Sequence, residues 1–292
     1  MTRLEGVFTA LVTPFQNDRL DEKALHARLV EQRTAGIAGI VVGATTGEGP
    51  ALEPTEWKRL LEICIAERGT MKIIANTGTN NTNHTVAKTV LAHEMGADAG
   101  LVITPYYNKP TQEGLYRHFT SVAAASPLPL MLYNVPSRTS CELLPETCKG
   151  LLDAETIISL KQAVSNLDRV TEIKQIVGDH WTILSGEDSL FLPMMAVGAE
   201  GLVSVTSNAV PEVVVALYSA TKNNDWVEAK RLHYGLYDLN YALFTETSPG
   251  PIKAALKLLG RDCGEVRLPL APFSTSKLDQ LDRALHKAMG LL

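Results

Sequence analysis

The chain has 292 residues, of which 45% are hydrophobic and 20% are charged, a composition typical of a globular protein with a large core. Its 27 Lys and Arg are scattered among 32 Asp and Glu, giving a net charge of −5, which argues against nucleic acid and anionic membranes as partners. No run approaches the ~18 apolar residues of a membrane helix, and the first residues lack a signal-peptide pattern, so we expect a cytoplasmic protein.

The four cysteines, Cys64, Cys141, Cys148 and Cys263, show no Cys-x-x-Cys spacing. Such a pattern predicts neither a disulfide framework nor a zinc site, and the sequence gives no other indication of a bound metal. We therefore interpret the four thiols as reduced and mostly structural, because cysteine is usually buried.

Short β-branched or apolar runs recur along the chain, and each is followed by a longer segment with helical spacing of its apolar residues. Eight such runs are predicted to be strands: Val7–Thr13, Gly39–Gly43, Lys72–Thr77, Gly100–Thr104, Leu130–Asn134, Ile157–Lys161, Thr182–Ser185 and Gly201–Thr206. The clearest helices are predicted at Asp21–Ala35, Thr82–Met95 and Gln112–Ala125. Further helices are expected to begin at Pro54 and Pro145, because proline favours the first turn of a helix.

Eight strand-helix units favour an α/β fold of the closed (β/α)8, or TIM, barrel type. No Gly-x-Gly-x-x-Gly follows the first strand, which argues against an open dinucleotide-binding sheet. After the eighth unit we predict a wholly helical tail. The predicted domains are therefore a catalytic barrel at residues 1–224 and a C-terminal helical subdomain at residues 225–292.

Barrel enzymes carry their reactive groups at the carboxyl ends of the strands, and Lys161 lies at the end of the sixth predicted strand. Strand alternation places Ile157, Ser159 and Lys161 on one face. Burial lowers the pKa of an amine, and a neutral amine attacks a ketone to form a Schiff base. Taken alone, a lysine at a strand end is more often solvated or paired with an acid, so the neighbouring strand ends decide the interpretation.

Other strand ends carry groups suited to binding a keto acid. Thr45 and Thr46 lie in a glycine-flanked turn that can aim hydroxyl and N–H groups at a carboxylate. Tyr107 and Tyr133 are phenols able to transfer protons, although aromatic residues here are more often packing elements. Arg138 follows a Pro-Ser turn and could bind a carboxylate with two parallel hydrogen bonds; the alternative is a solvated surface arginine.

Five segments in matching order closely resemble the 4-hydroxy-tetrahydrodipicolinate synthase (dihydrodipicolinate synthase) family, over about residues 6–273. They are Gly-Ala-Thr-Thr-Gly-Glu (43–48), Thr-Pro-Tyr-Tyr-Asn-Lys-Pro-Thr-Gln-Glu-Gly-Leu-Tyr (104–116), Tyr-Asn-Val-Pro-Ser-Arg-Thr (133–139), Leu-Lys-Gln-Ala (160–163) and Leu-Ser-Gly-Glu-Asp (184–188). The family usually has Lys-Glu-Ala where this chain has Lys161-Gln162-Ala163. We expect Gln162 to point away from the site because neighbouring residues of a strand face opposite sides.

The resemblance implies condensation of pyruvate with L-aspartate 4-semialdehyde in lysine and diaminopimelate biosynthesis. Lys161 would form the Schiff base, and Thr45, Tyr133 and Tyr107 would relay protons, with Tyr107 supplied by a neighbouring subunit. Thr46, Gly186 and Val203 would bind pyruvate. Arg138 would bind the aldehyde substrate.

The resemblance further implies a homotetramer built as a dimer of dimers, with no cofactor. A related pyruvate-dependent keto-acid aldolase or lyase is the alternative, because the superfamily, which includes N-acetylneuraminate lyase, shares the Schiff-base lysine. Relatives inhibited by L-lysine carry a glutamate where this chain has His84. We therefore expect weak or absent inhibition by L-lysine.

Overall fold

A computed structural model describes residues 3–292 of the chain. The strands are β1 (Gly6–Ala10), β2 (Phe15–Gln16), β3 (Arg19–Leu20), β4 (Gly39–Val42), β5 (Lys72–Asn76), β6 (Ala99–Ile103), β7 (Leu130–Asn134), β8 (Ile157–Gln162), β9 (Thr182–Ser185) and β10 (Gly201–Ser204). Eight parallel strands form a closed barrel in the order β1-β10-β9-β8-β7-β6-β5-β4, and β2 pairs with β3 in a separate antiparallel hairpin. The predicted (β/α)8 barrel is confirmed.

Helices alternate with the barrel strands and continue beyond the last of them. The helices are α1 (Glu22–Thr34), α2 (Pro54–Glu67), α3 (Thr82–Met95), α4 (Gln112–Ala125), α5 (Pro136–Thr139), α6 (Pro145–Gly150), α7 (Leu167–Val177), α8 (Phe191–Ala196), α9 (Pro211–Lys222), α10 (Trp226–Ala242), α11 (Gly250–Leu258) and α12 (Leu278–Met289). The predictions for α3 and α4 are confirmed to the residue, and α2 and α6 begin at the expected prolines.

Side-chain caps explain several of these helix boundaries. The carboxylate of Asp21 accepts a hydrogen bond from the Ala24 amide at the start of α1. Asn81 and Thr111 cap α3 and α4 in the same way. These acceptors satisfy amide groups that have no partner within the helix, which is why a short polar residue precedes the first turn of these three helices.

The chain divides into two compact units. The first contains residues 3–6 together with Lys72–Val203, and the second contains Val7–Met71 together with Ser204–Leu292. In the first unit, one hydrophobic cluster joins side chains of β6–β9 with those of the helices between them, including Phe119, Trp181 and Ile183. Burial of these large side chains stabilises the strands that carry Tyr133 and Lys161.

The second unit contains the tail and two departures from the predicted pattern. The β2–β3 hairpin was not predicted, because strands of two residues carry too little alternation to be recognised. The tail is helical in α10, α11 and α12, but residues 259–274 are irregular, so the prediction of a wholly helical tail is wrong there. Pro269 and Pro272 lack the backbone N–H that a helix requires. The predicted domain boundary after residue 224 stays a prediction; it falls in the turn between α9 and α10.

Within residues 3–292, no helix combines the length and apolar character needed to cross a membrane.

Candidate active site

Lys161 is buried in the barrel, at 6% exposure. It lies on β8 directly opposite Tyr133 of the parallel neighbour β7, and its Nζ lies 4.1 Å from the centre of the Tyr133 ring. Tyr133 is itself only 5% exposed. The Lys161 amine and the Tyr133 ring are therefore in contact in a site that excludes most water, and Tyr133 brings a phenol, a group able to transfer protons, next to the candidate nucleophile.

Burial lowers the pKa of Lys161 to about 8, because the charged ammonium loses its hydration. The carboxylates of Glu187 and Asp188 oppose this effect, and the guanidinium of Arg138 adds to it. At pH 7 about a tenth of such an amine is neutral, compared with a few parts in ten thousand for an ordinary lysine. The site therefore holds a usable nucleophile near neutral pH.

Gly186 follows β9 and lies against the Lys161 side chain. A Cβ atom at this position would lie 2.7 Å from Ala163 Cβ and 3.1 Å from Lys161 Cε, so only glycine lets the backbone approach so closely. The Gly186 amide donates to the Gln162 carbonyl. Val203 is buried on β10, next to β9. The predicted pyruvate-binding roles of Gly186 and Val203 stay predictions.

The sequence analysis assigns no role to two acidic residues that interact with Lys161, Glu187 and Asp188. Burial raises the pKa of Glu187, which lies in the loop after β9 and interacts electrostatically with Lys161 and Arg138. Asp188 is 4% exposed. Their position directly after a strand end could have indicated a place in the site, but acidic residues in loops are usually solvated.

Arg138 lies in the short helix α5 directly after β7 and is exposed. Its amide donates to the Val135 carbonyl, and the segment after it is held by a hydrogen bond from the Leu143 amide to the Asn134 side chain. The guanidinium thus projects from a fixed turn and is close enough to Lys161 to affect its pKa. This position suits a carboxylate-binding group for a second substrate.

Gln162 is fully buried, and its side-chain carbonyl accepts from Asn134 Nδ2 at 2.9 Å. The pair joins the ends of β7 and β8, where Asn134 and Gln162 are in register. The Gln162 amide therefore forms a structural link between two strands.

Tyr107 is 89% exposed and has a positive φ of 73°. A bulky residue with a positive φ is uncommon, and such strained backbone positions are concentrated at functional sites.

Thr45 and Thr46 lie in a tight turn after β4, in the second compact unit. The Glu48 amide donates to the Thr45 carbonyl, and the Gly49 amide donates to the Ala44 carbonyl. Thr46 is 4% exposed. The structure therefore confirms the turn, while the carboxylate-binding role of both threonines stays a prediction.

A cluster of three or more His, Cys, Asp or Glu side chains suited to a metal ion does not occur among residues 3–292.

The model of the dihydrodipicolinate synthetase family matches residues 3–288. The chain belongs to this family. Among curated relatives, 4-hydroxy-tetrahydrodipicolinate synthase of Thermomicrobium roseum is 45% identical over 284 residues, which cover 97% of this chain and 94% of the relative. The family membership confirms the predicted class of enzyme.

Two solved structures of family members superpose closely. The synthase of Methylacidiphilum fumariolicum SolV is 39% identical with a TM-score of 0.97, over 99% of this chain and 97% of that chain. The enzyme of Acinetobacter baumannii, solved in complex with pyruvate, is 35% identical with a TM-score of 0.95, over 99% of each chain.

Proposed function

We propose that the chain condenses pyruvate with L-aspartate 4-semialdehyde, giving 4-hydroxy-tetrahydrodipicolinate on the route to diaminopimelate and lysine. The observation that carries this proposal is Lys161, a buried strand lysine with a pKa lowered to about 8 and in contact with Tyr133. Family membership supplies the two substrates, and the A. baumannii relative was solved with pyruvate. We place the reaction in the cytoplasm.

In the proposed reaction, the neutral Lys161 amine adds to the ketone of pyruvate, and loss of water gives a protonated imine. Removal of a proton from the pyruvate methyl group gives an enamine, which attacks the aldehyde carbon of the second substrate. The substrate's own amine then closes the ring and displaces Lys161. Every step is an addition, an elimination or a proton transfer, so no metal or organic cofactor is required.

Other side chains transfer protons and bind the substrate carboxylates. Tyr133 moves protons to and from the imine, and the position of its ring next to Lys161 Nζ supports this role. Thr45 and Tyr107 complete the proton relay, and Thr46 binds the pyruvate carboxylate through the turn after β4. Arg138 binds the carboxylate of the aldehyde substrate with paired hydrogen bonds.

Gly186 and Val203 line the pyruvate site through backbone groups. The lack of room for a Cβ atom at Gly186, which would lie 3.1 Å from Lys161 Cε, supports this role, because the backbone of Gly186 lies close to the Lys161 side chain.

The alternative is a related keto-acid aldolase or lyase that uses the same lysine. The two functions differ in the second substrate, so turnover with aspartate semialdehyde and with sugar-acid aldols separates them.

The direct test is reduction with borohydride in the presence of pyruvate, followed by mass spectrometry. A Schiff base is reduced to a stable amine, and the chain gains the mass of the bound pyruvate, located by peptide mapping at Lys161. A chain that gains no mass would contradict the proposed function.

We further propose a homotetramer built from two tight dimers, in which Tyr107 enters the site of the neighbouring subunit. The exposure of Tyr107 and its outward backbone conformation support this arrangement. Tyr106, its neighbour, is also exposed. If the site is shared between subunits, two chains that are inactive for different reasons should regain activity when they assemble with each other.

Co-assembly of Tyr107→Phe chains with Lys161→Ala chains should therefore restore activity. A mixed dimer contains one site with both an intact lysine and an intact phenol, whereas each parental dimer contains none. The measurement is turnover after the two chains are unfolded and refolded together, compared with the same chains refolded separately. Activity that never exceeds the sum of the separate samples would show that Tyr107 acts within its own chain.

We infer that L-lysine inhibits the enzyme weakly or not at all. His84 is exposed in the first turn of α3 and offers no carboxylate for the ammonium group of an amino acid. Two acids that could substitute are engaged elsewhere. Glu56 binds Arg267 through both oxygens, at 2.6 and 2.7 Å, and Glu53 caps its own helix.

Initial rates at saturating pyruvate should stay within twofold of the uninhibited rate at millimolar L-lysine. Losing a partly buried ion pair costs about 3 kcal/mol, which corresponds to at least a hundredfold in affinity. The His84→Glu variant is the matched comparison and should gain sensitivity. Half-inhibition of the unaltered chain below about 1 mM would show that another anion binds the ammonium group.

A further inference from the structure

Glu48 and Lys253 form an ion pair in the interior of the second compact unit. The Lys253 Nζ lies 2.6 Å from Glu48 Oε1, and the two side chains are only 3% and 1% exposed. Burying two charges costs hydration free energy that their attraction only partly offsets, and apolar residues of similar volume often stabilise a fold equally well. The pair therefore calls for an explanation other than stability.

Glu48 ends the turn that holds Thr45 and Thr46. It is a non-glycine residue with a φ of +53°, in the left-handed region, so the backbone here is held in a conformation that few side chains favour. A side chain at Gly49 would have its Cβ 2.1 Å from the Gly43 carbonyl oxygen. The turn is thus tightly folded, and its position depends on contacts that hold Glu48.

Both oxygens of the Glu48 carboxylate are held by the C-terminal part of the chain. Oε1 pairs with Lys253 of α11, and Oε2 accepts from the Arg267 amide at 2.8 Å. On the other side of the turn, Thr13 Oγ1 donates to the Gly47 carbonyl at 2.6 Å. The turn is therefore fixed from both sides by polar contacts whose direction is specific.

Lys253 is itself held by three different contacts. Besides Glu48, its ammonium donates to the Glu265 carbonyl at 3.2 Å and lies 4.5 Å from the centre of the Phe15 ring. The Arg267 guanidinium lies 3.9 Å from the same ring. Burial lowers the pKa of Lys253, and the adjacent Glu48 opposes that shift. The ammonium is thus placed with little freedom to move.

We propose that Glu48 and Lys253 are positioning residues that fix the Thr45–Thr46 turn for binding of the pyruvate carboxylate. This inference rests on the proposed function. It gives the helical tail a part in substrate binding, because α11 holds the turn through Lys253. Neither residue touches substrate; both act through the orientation of the two threonines, and a displacement of the turn by a fraction of an ångström weakens a preorganised anion site.

The test measures borohydride capture as a function of pyruvate concentration in the full chain. Lys253→Met keeps the apolar stem and removes the charge, and the concentration for half-maximal capture should rise about tenfold or more. Maximal capture should be retained, because Lys161 is unaltered. The KM for aspartate semialdehyde, measured at saturating pyruvate, should change by less than twofold.

Lys257→Met is the matched control, because Lys257 lies one turn further along α11 in an exposed pair with Glu265, both 63% exposed. It should bind pyruvate as the unaltered chain does. If Lys253→Met fails to fold, the double variant Glu48→Gln with Lys253→Met removes both charges and should show the same rise in half-maximal concentration.

Three results separate the possibilities. Folded variants with unchanged half-maximal capture would overturn the positioning role and leave the proposed function intact. An equal loss of affinity for both substrates would also overturn it, because that pattern indicates general loosening of the fold. Absence of capture by the unaltered chain would overturn the proposed function and this inference together.

Discussion

Replacing Lys161 by alanine should abolish covalent capture of pyruvate and reduce turnover by roughly 10⁴-fold or more, the scale of loss when a nucleophile is removed. No other group can form the imine, because the nitrogen itself becomes part of the intermediate. Lys161→Arg should be equally inactive, since a guanidinium stays protonated and is not nucleophilic. The measurement is the mass of the chain after reduction with pyruvate and borohydride, together with the rate of condensation.

A partly buried lysine away from the barrel strands, Lys88, makes this test specific. Burial also lowers the pKa of Lys88 in α3 to about 8, so Lys88 has a comparable fraction of neutral amine but does not lie on a barrel strand. Lys88→Met should therefore keep full capture. If capture persists in Lys161→Ala and disappears in Lys88→Met, then Lys88 and not Lys161 forms the Schiff base.

Replacing Arg138 by alanine should impair the reaction with aspartate semialdehyde and leave the capture of pyruvate intact. Loss of a paired carboxylate contact costs about 2–4 kcal/mol, so kcat/KM for aspartate semialdehyde should fall by about 30- to 1000-fold. Capture of pyruvate by borohydride should remain, because Arg138 affects Lys161 only through its charge. Steady-state rates and mass spectrometry of the same preparation measure both quantities.

Arg117→Ala is the control for Arg138→Ala. Arg117 lies on α4 in an exposed pair with Glu113, and such surface pairs contribute little, so its removal should leave kcat/KM within twofold. Loss of the pyruvate adduct in Arg138→Ala would mean that Arg138 serves the first substrate instead.

The regular part of the fold could be predicted from the sequence because its signals are local. Each barrel strand was located to within three residues, since β-branched runs alternate with helical segments. Lys161 was located at a strand end by the same alternation. These features depend on residues that are close in sequence, and composition and spacing describe such residues well.

The features that were missed depend on contacts between residues distant in sequence. Glu48 and Lys253 are separated by most of the chain, and nothing near either residue indicates a buried partner. Glu187 has a raised pKa because folding buries it and brings it close to Asp188. The roles of Thr45 and Arg138 came from family resemblance, because a turn or an exposed arginine alone does not specify a ligand.

The second compact unit combines an early and a late segment of the sequence, so its two parts are synthesised at different times. Val7–Met71 belongs with Ser204–Leu292, so these early residues leave the ribosome well before their packing partners exist. At usual rates of translation the delay is on the order of tens of seconds. Lys72–Val203 meets nearly all its partners sooner, whereas Glu48 and Phe15 lack their partners Lys253 and Arg267 until the last part of the chain emerges. Chaperone binding during translation should therefore concentrate on the amino-terminal residues.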